Sequence, residues 1–388
     1  MITEKVFKTS PLSALFMLSW PPILSGWVQT SFDLVNAYWV SHLGDSSMGV
    51  LSVATFIIWH FFCFPFLLHP GLTQKIAFLL GQGDTESVKK IAWSGICWSF
   101  GLGILAAMLG FLLLPGILLL INLKGDLYQK VYFFMSIFFL HLPFLYAFHA
   151  CLSILRGYSQ TKEVAFLSVF VLLVNGLLDP LFIYYFDFQV YGAVLSSVCA
   201  ILSGFMIASA ILWKKKFLIR KLASRQVLWE FLRIGTPMTL SNLSFCVVYL
   251  ILTRYIVLFG DAPLAAMGIA FRLEGIAYFC AVGIGMASTS AIGLSLGRKD
   301  YVRTAQFGNA AIYLTALFVL PLSLLFLGIP HHLMRLFTEN SEEIRHGAYL
   351  LRTLGFVELA LGIELALEGV FAGLGRTFWA GTVALFGT

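Results

Sequence analysis

Ser168-Val-Phe-Val-Leu-Leu-Val-Asn175-Gly-Leu-Leu-Asp179-Pro180-Leu-Phe-Ile183 reads as an apolar helix carrying an amide and a carboxylate four residues apart. Four apart on a helix is one face. An ionisable group at the centre of an apolar span costs about 2.5 to 3.5 kcal/mol even on the lenient insertion scale, so a chain that keeps one normally uses it. Asn175 and Asp179 are therefore the expected functional centre. The bland alternative stays open on sequence alone: Asn175 bonds a neighbouring helix and Asp179 caps the kink before Pro180.

The surroundings of this stretch identify its solvent. Hydrophobic residues make up 59% of the 388 and charged ones 11%, with a mean hydropathy of +0.89. That is too little polarity to cover a water-soluble surface of this size. Apolar runs near the length needed to cross about 30 Å of hydrocarbon as helix start at about Ala14, Ser47, Ile91, Leu127, Val164, Tyr191, Leu232, Ala262, Ala305 and Arg345, and another from Phe378. They are too long for barrel strands, and a lipid-exposed backbone must bond to itself, so the fold expected is an all-α polytopic membrane protein. The first run is too long for a signal peptide and stays as a span.

Charge sorts between alternate loops. Lys5, Lys8, Lys89, Lys90, Arg156, Lys162, the cluster from Lys214 to Arg233, and Arg298, Lys299, Arg303 and Arg376 fall on one side, against Lys124, Lys130, Arg335 and Arg345 on the other. The positive-inside rule then puts the N-terminus and the linker in the cytoplasm, with the spans in a plasma (inner) membrane. The net charge of +6 is accounted for by topology, and no nucleic-acid partner is expected.

The chain repeats itself. Leu43-Gly44-Asp45 lies over Phe259-Gly260-Asp261, Pro21 over Pro237, Leu80-Gly81 with Asp84 over Leu296-Gly297 with Asp300, and Gly157 over Gly373, all at one offset of 216 residues. An even number of spans per copy makes the repeats parallel, related by an axis along the membrane normal. The expected organisation is a lobe over 1–213, a cytoplasmic linker over 214–231 and a second lobe over 232–388. At this offset residue 388 corresponds to Leu172 of the first copy, so a complete second repeat is expected to run further than residue 388.

Asn36-Ala-Tyr-Trp-Val-Ser-His-Leu-Gly44, Gly81-Gln-Gly-Asp84, Leu155-Arg156-Gly157, Asn175-Gly-Leu-Leu-Asp179-Pro180, Gly192-Ala193, Arg272-Leu-Glu274 and Glu368-Gly-Val-Phe-Ala-Gly-Leu-Gly-Arg-Thr377 are similar to the multidrug and toxic compound extrusion family. The resemblance implies a V-shaped bundle of two six-helix lobes around a cleft that opens alternately to each side. It also implies export of amphiphilic, often cationic compounds in exchange for Na+ or H+. Its ion site draws an acid from the first helix, Asn and Asp from the fifth and a hydroxyl from the sixth. Asn175 and Asp179 match the fifth-helix pair, and Ser197 occupies the hydroxyl position. In the first helix Asn36 stands where many members carry Asp, and Asp33 lies about 4.5 Å earlier along the axis.

The residue chemistry supports an ion site independently. Two carboxylates, two amide oxygens and a hydroxyl form an oxygen-only set, which hard cations prefer. Two buried carboxylates cannot cheaply both ionise, so a proton or Na+ would relieve them. Arg272, Glu274, Glu358 and Glu364 form a second candidate site for a cationic substrate or ion, with an internal salt bridge among them as the competing expectation.

Other residues carry less. The six cysteines show no CxxC and no histidine at metal spacing, and read as packing residues. The histidines are scattered. Lys75 and Arg254 are expected to snorkel or line the cleft. No arrangement for an enzyme appears, and no cofactor is expected beyond the coupling ion. The remaining alternatives are a flippase for lipid-linked saccharides or lipids, which would need a cleft lined with Arg and Lys, and a non-functional fragment of such a transporter. Partners are small amphiphilic substrates and the bilayer, and a monomer is expected.

Overall fold

The computed structural model describes residues 7–43, 45–121 and 123–387, except for the side chains of Gln29, Asp33, Asp45, Ser46, Leu250, Val257, Asp261 and residues 383–387. Helices account for nearly all of these. In chain order they are α1 (Pro11–Ser41), α2 (Asp45–Phe61), a 3-10 turn (Phe64–Leu67), α3 (His69–Gln82), α4 (Thr85–Leu120), α5 (Gly125–Gly157), α6 (Thr161–Pro180), a π turn (Leu181–Tyr185) and α7 (Val190–Lys214). The second half has α8 (Arg225–Ile256), α9 (Asp261–Gly297), α10 (Tyr301–Gly328), α11 (Pro330–Arg335), α12 (Ser341–Gly373) and α13 (Thr377–Gly387). Most helices start a few residues before the apolar runs because capping turns precede them: Asp84 accepts from Ser87 N at 3.0 Å and Asp300 from Arg303 N at 2.9 Å.

Among the described residues, eight helical stretches are long and apolar enough to cross a membrane: Ser47–Gln82, Thr85–Leu120, Gly125–Gly157, Thr161–Tyr185, Val190–Lys214, Arg225–Ile256, Ala262–Gly297 and Tyr301–Gly328. The expected spans in α1 and α12 are not among them. Prolines, serines, Gln29 and Asp33 dilute the first, and Glu358, Glu364 and Glu368 the second. Both helices pack into the bundle on one side, α1 against α6 and α9, α12 against α9 and α10. Outward faces remain apolar, with Leu112, Leu120, Leu177 and Phe356 exposed. This is the surface of a protein solvated by lipid.

The repeat is visible in the packing. A Cβ on Gly157 would fall 2.7 Å from Ile76 Cγ2 and 3.1 Å from Thr73 O, and one on Gly373 would fall 2.8 Å from Ile292 Cβ and 3.1 Å from Thr289 O. Each partner differs by the sequence offset. Likewise Thr73 donates to Ser153 O at 3.1 Å and Thr289 to Gly369 O at 2.9 Å. The fold is thus two parallel repeats, one holding α3 against α5 and the other α9 against α12 through the same small-residue contact.

The halves interlock reciprocally. Helix α1 crosses α9 so closely that a Cβ on Gly283 would meet Ile23 N at 2.7 Å. Its counterpart α8 crosses the turn before α3, where a Cβ on Gly235 would meet Leu67 O at 2.1 Å. The largest cluster of buried apolar residues spans α2 to α7 and takes in Val40 of α1 and Phe231 of α8. A second joins Ala14, Leu15, Leu18 and Ile23 of α1 to α9, α10 and α12. The linker is strapped to the first half: Tyr158 and Phe217 stack at 3.7 Å, Ala223 N donates to Ser94 Oγ at 2.7 Å, and Lys215 pairs with Glu163.

Candidate cation site

The site is built where α6 stops being regular. Pro180 has no N–H to give the Gly176 carbonyl, and the chain continues as the π turn. Helix α7 returns hard against that turn: a Cβ on Gly192 would lie 2.6 Å from Ile183 N and 2.7 Å from Phe182 C. Glycine there lets α7 lay Ala193 and Ser196 on Asn175 and Asp179.

Asn175, Asp179 and Ser196 are all 0% exposed. Ser196 donates to Asp179 Oδ1. Asn175 Nδ2 lies 3.3 Å from Asp179 Oδ1, 3.1 Å from Ser196 Oγ and 3.3 Å from Ser197 Oγ. The Asn175 amide thus turns toward one carboxylate oxygen and the two hydroxyls. Asn175 Oδ1 and Asp179 Oδ2 are left buried with no partner. An unsatisfied buried polar group costs about 1 to 3 kcal/mol, and more when charged, so the pair calls for a proton or a hard cation.

The expected residues divide as follows. Asn175 and Asp179 come together as the sequence indicates. The hydroxyl on the carboxylate is Ser196, while Ser197 stays in the cluster by accepting from Asn175 Nδ2 at 3.3 Å and donates its own hydroxyl to Ala193 O at 2.8 Å. Both serines share the small-residue side of α7: Ser196 is three residues from Ala193 and four from Ala200, and Ser197 is four from Ala193 and three from Ala200, so periodicity alone does not choose between them. On α1, the Oδ1 of Asn36 is also buried without a partner. Its neighbour Val35 lies against α6, 3.6 Å from where a Cβ of Gly176 would be. The side chain of Asp33 lies outside the described residues.

The second candidate site is only partly assembled. Glu274 on α9 accepts from Tyr249 Oη at 3.2 Å with each oxygen, and Glu368 accepts from Ser241 at 2.9 Å. Glu358 is 1% exposed, within electrostatic reach of Glu274, and its Oε2 has no partner; nor has Oε1 of Glu364. Arg272 does not join them. It is exposed, and no ion pair links it to these glutamates among the described residues. Residues 272 and 274 are two apart, about 200° around the helix, so one faces out when the other faces in. Tyr249 was missed because nothing in an apolar run marks one tyrosine as a carboxylate donor. Lys75 also departs from expectation, pairing with Glu230 of α8 at 2.5 Å.

Comparison with known proteins gives this geometry a lineage. The MatE family model matches residues 21–181 and 237–388. The chain is 22% identical over 403 residues to the probable multidrug resistance protein YoeA of Bacillus subtilis, covering 100% of this chain and 86% of the relative. It is 23% identical over 386 residues to the multidrug export protein MepA of Staphylococcus aureus, covering 95% and 83%. Among solved structures, a MOP superfamily transporter from Pyrococcus furiosus superposes with a TM-score of 0.90 at 21% identity, covering 98% of this chain and 87% of that one. The Vibrio cholerae MATE transporter VcmN in its bent form gives 0.89 at 22%, covering 99% and 87%. Two matched segments, one in each repeat, span most of the sequence, and the chain belongs to the MatE family of membrane transporters.

Proposed function

We propose that this chain is a multidrug efflux transporter working as a secondary active antiporter, exporting amphiphilic or cationic organic compounds in exchange for Na+ or H+. The observation that carries the reading is the pair of orphaned buried oxygens, Asn175 Oδ1 and Asp179 Oδ2. Inward passage of one charge through 100 mV releases about 2.3 kcal/mol, enough for roughly a fiftyfold concentration ratio. The moving bodies are the lobes 1–213 and 232–388 joined by 214–231, with the linker and the Gly81 and Gly297 ends facing the cytoplasm. Glu274 and Glu358 supply carboxylates for a cationic substrate, with Tyr249 holding Glu274 in place.

The test is dye efflux in everted vesicles under an imposed Na+ or H+ gradient, run beside movement of a labelled lipid. Gradient-dependent dye transport supports the reading. Lipid movement without dye transport replaces it with a flippase.

A further inference from the structure

Cys63 and Cys246 lie 183 positions apart in sequence, one in each repeat, with their sulfurs 3.7 Å apart. No other pair of cysteine sulfurs is recorded in contact among the described residues. We propose that these thiols form a modification site at which a hydroperoxide closes a disulfide, stapling the two halves of the transporter together.

The fold holds the pair in place on both sides. Cys63 sits in the break between α2 and the 3-10 turn, and that turn is fixed from the other half where Gly235 of α8 packs on the Leu67 carbonyl. Behind it, Tyr146 donates to Phe61 O at 2.6 Å. The break matters chemically. A residue between two helical segments shifts its backbone more cheaply than one inside a helix, and the sulfurs must close from 3.7 Å to about 2.05 Å. Cys63 is 5% exposed, whereas Cys246 is half-buried, so Cys246 meets the oxidant first.

The chemistry balances with a hydroperoxide as two-electron oxidant. Cys246 Sγ attacks the outer peroxide oxygen; the O–O bond breaks, the alcohol leaves with one proton, and a sulfenic acid remains on Cys246. Cys63 Sγ displaces that hydroxyl as water, carrying off the second proton, and the S–S bond forms. Two thiols are oxidised and one hydroperoxide is reduced to an alcohol and water. Because α8 and the α2–α3 segment belong to different repeats, the bond removes their relative motion and holds the state in which they are packed.

The disulfide itself does not depend on the transport reading; the arrest does. The test treats the full chain in membranes with cumene hydroperoxide, then maps disulfides by mass spectrometry and measures dye efflux. The expected result is a disulfide joining the peptides of Cys63 and Cys246, with at least a tenfold loss of efflux restored by dithiothreitol. Cys246→Ser and Cys63→Ala keep full efflux after treatment. Absence of that disulfide when other thiols of the chain are oxidised overturns the site. A formed disulfide with undiminished efflux overturns the staple.

Discussion

Gly81 and Gly297, equivalent positions of the two repeats, lie face to face. A Cβ on Gly81 would fall 2.3 Å from Leu294 O and 3.0 Å from Gly297 Cα, and one on Gly297 would fall 2.0 Å from Phe78 O and 3.1 Å from Gly81 Cα. Two residues related by the repeat can touch only near its axis. The ends of α3 and α9 therefore cross on the pseudo-twofold, with no room for a side chain between them. Gly297→Leu is expected to force this end open and cut efflux by more than tenfold. Amide exchange over 74–82 and 289–297 would rise with it, and unchanged exchange would show that the contact bears no load.

The same axis carries a reciprocal pair of hydrogen bonds between the halves. Gln74 Nε2 donates to Gly373 O at 3.3 Å and Ser290 Oγ to Arg156 O at 2.7 Å, the donors separated by the repeat offset and the acceptors within one residue of it. Each is worth about 1 kcal/mol net. The double variant Gln74→Ala with Ser290→Ala shifts the balance toward a state open at this end by roughly thirtyfold. Spin-label distances across the two halves are the readout.

At the cation site the serines are not equivalent. Ser196→Ala removes the donor on Asp179 Oδ1 and is expected to lower coupled efflux about tenfold, whereas Ser197→Ala changes it less than twofold. Comparison of the two rates decides which hydroxyl serves the carboxylate.

The caps give a stability test away from the site. Asp84→Ala and Asp300→Ala each cost about 1 kcal/mol through the lost cap, lowering Tm in detergent. Ser87 holds the Asp84 carboxyl below its ordinary value through its hydrogen bonds. Because the folded-state value is the lower one, this contribution is complete above the ordinary carboxylate range. It fades as pH falls through the depressed value, so the Asp84→Ala deficit in Tm shrinks in acid.

How much of this was legible in the sequence follows from what each feature depends on. The repeat could be read because Gly81, Gly157, Gly297 and Gly373 permit no side chain at backbone crossings, so their spacing is fixed by contact geometry. Asn175 and Asp179 could be read because one helical face carries both. Ser196 could not be singled out because it and Ser197 both stand three or four residues from Ala193 and Ala200, and only the path of α7 after Gly192 decides which hydroxyl meets Asp179. Arg272 was grouped with the glutamates although it stands two residues from Glu274, about 200° around the helix, which turns it away from them. The contact of Cys63 with Cys246 has no local signal, since it depends on how α8 crosses the break after α2.

The central claim is that Asp179 binds the coupling ion, and substrate-driven ion flux tests it most directly. Purified chain in sealed liposomes, given a gradient of cationic dye and no membrane potential, is predicted to drive Na+ or H+ the opposite way. In Asp179→Asn that ion flux disappears while the protein remains folded and inserted. An Asp179→Asn chain that still moves the ion with wild-type stoichiometry would contradict the account.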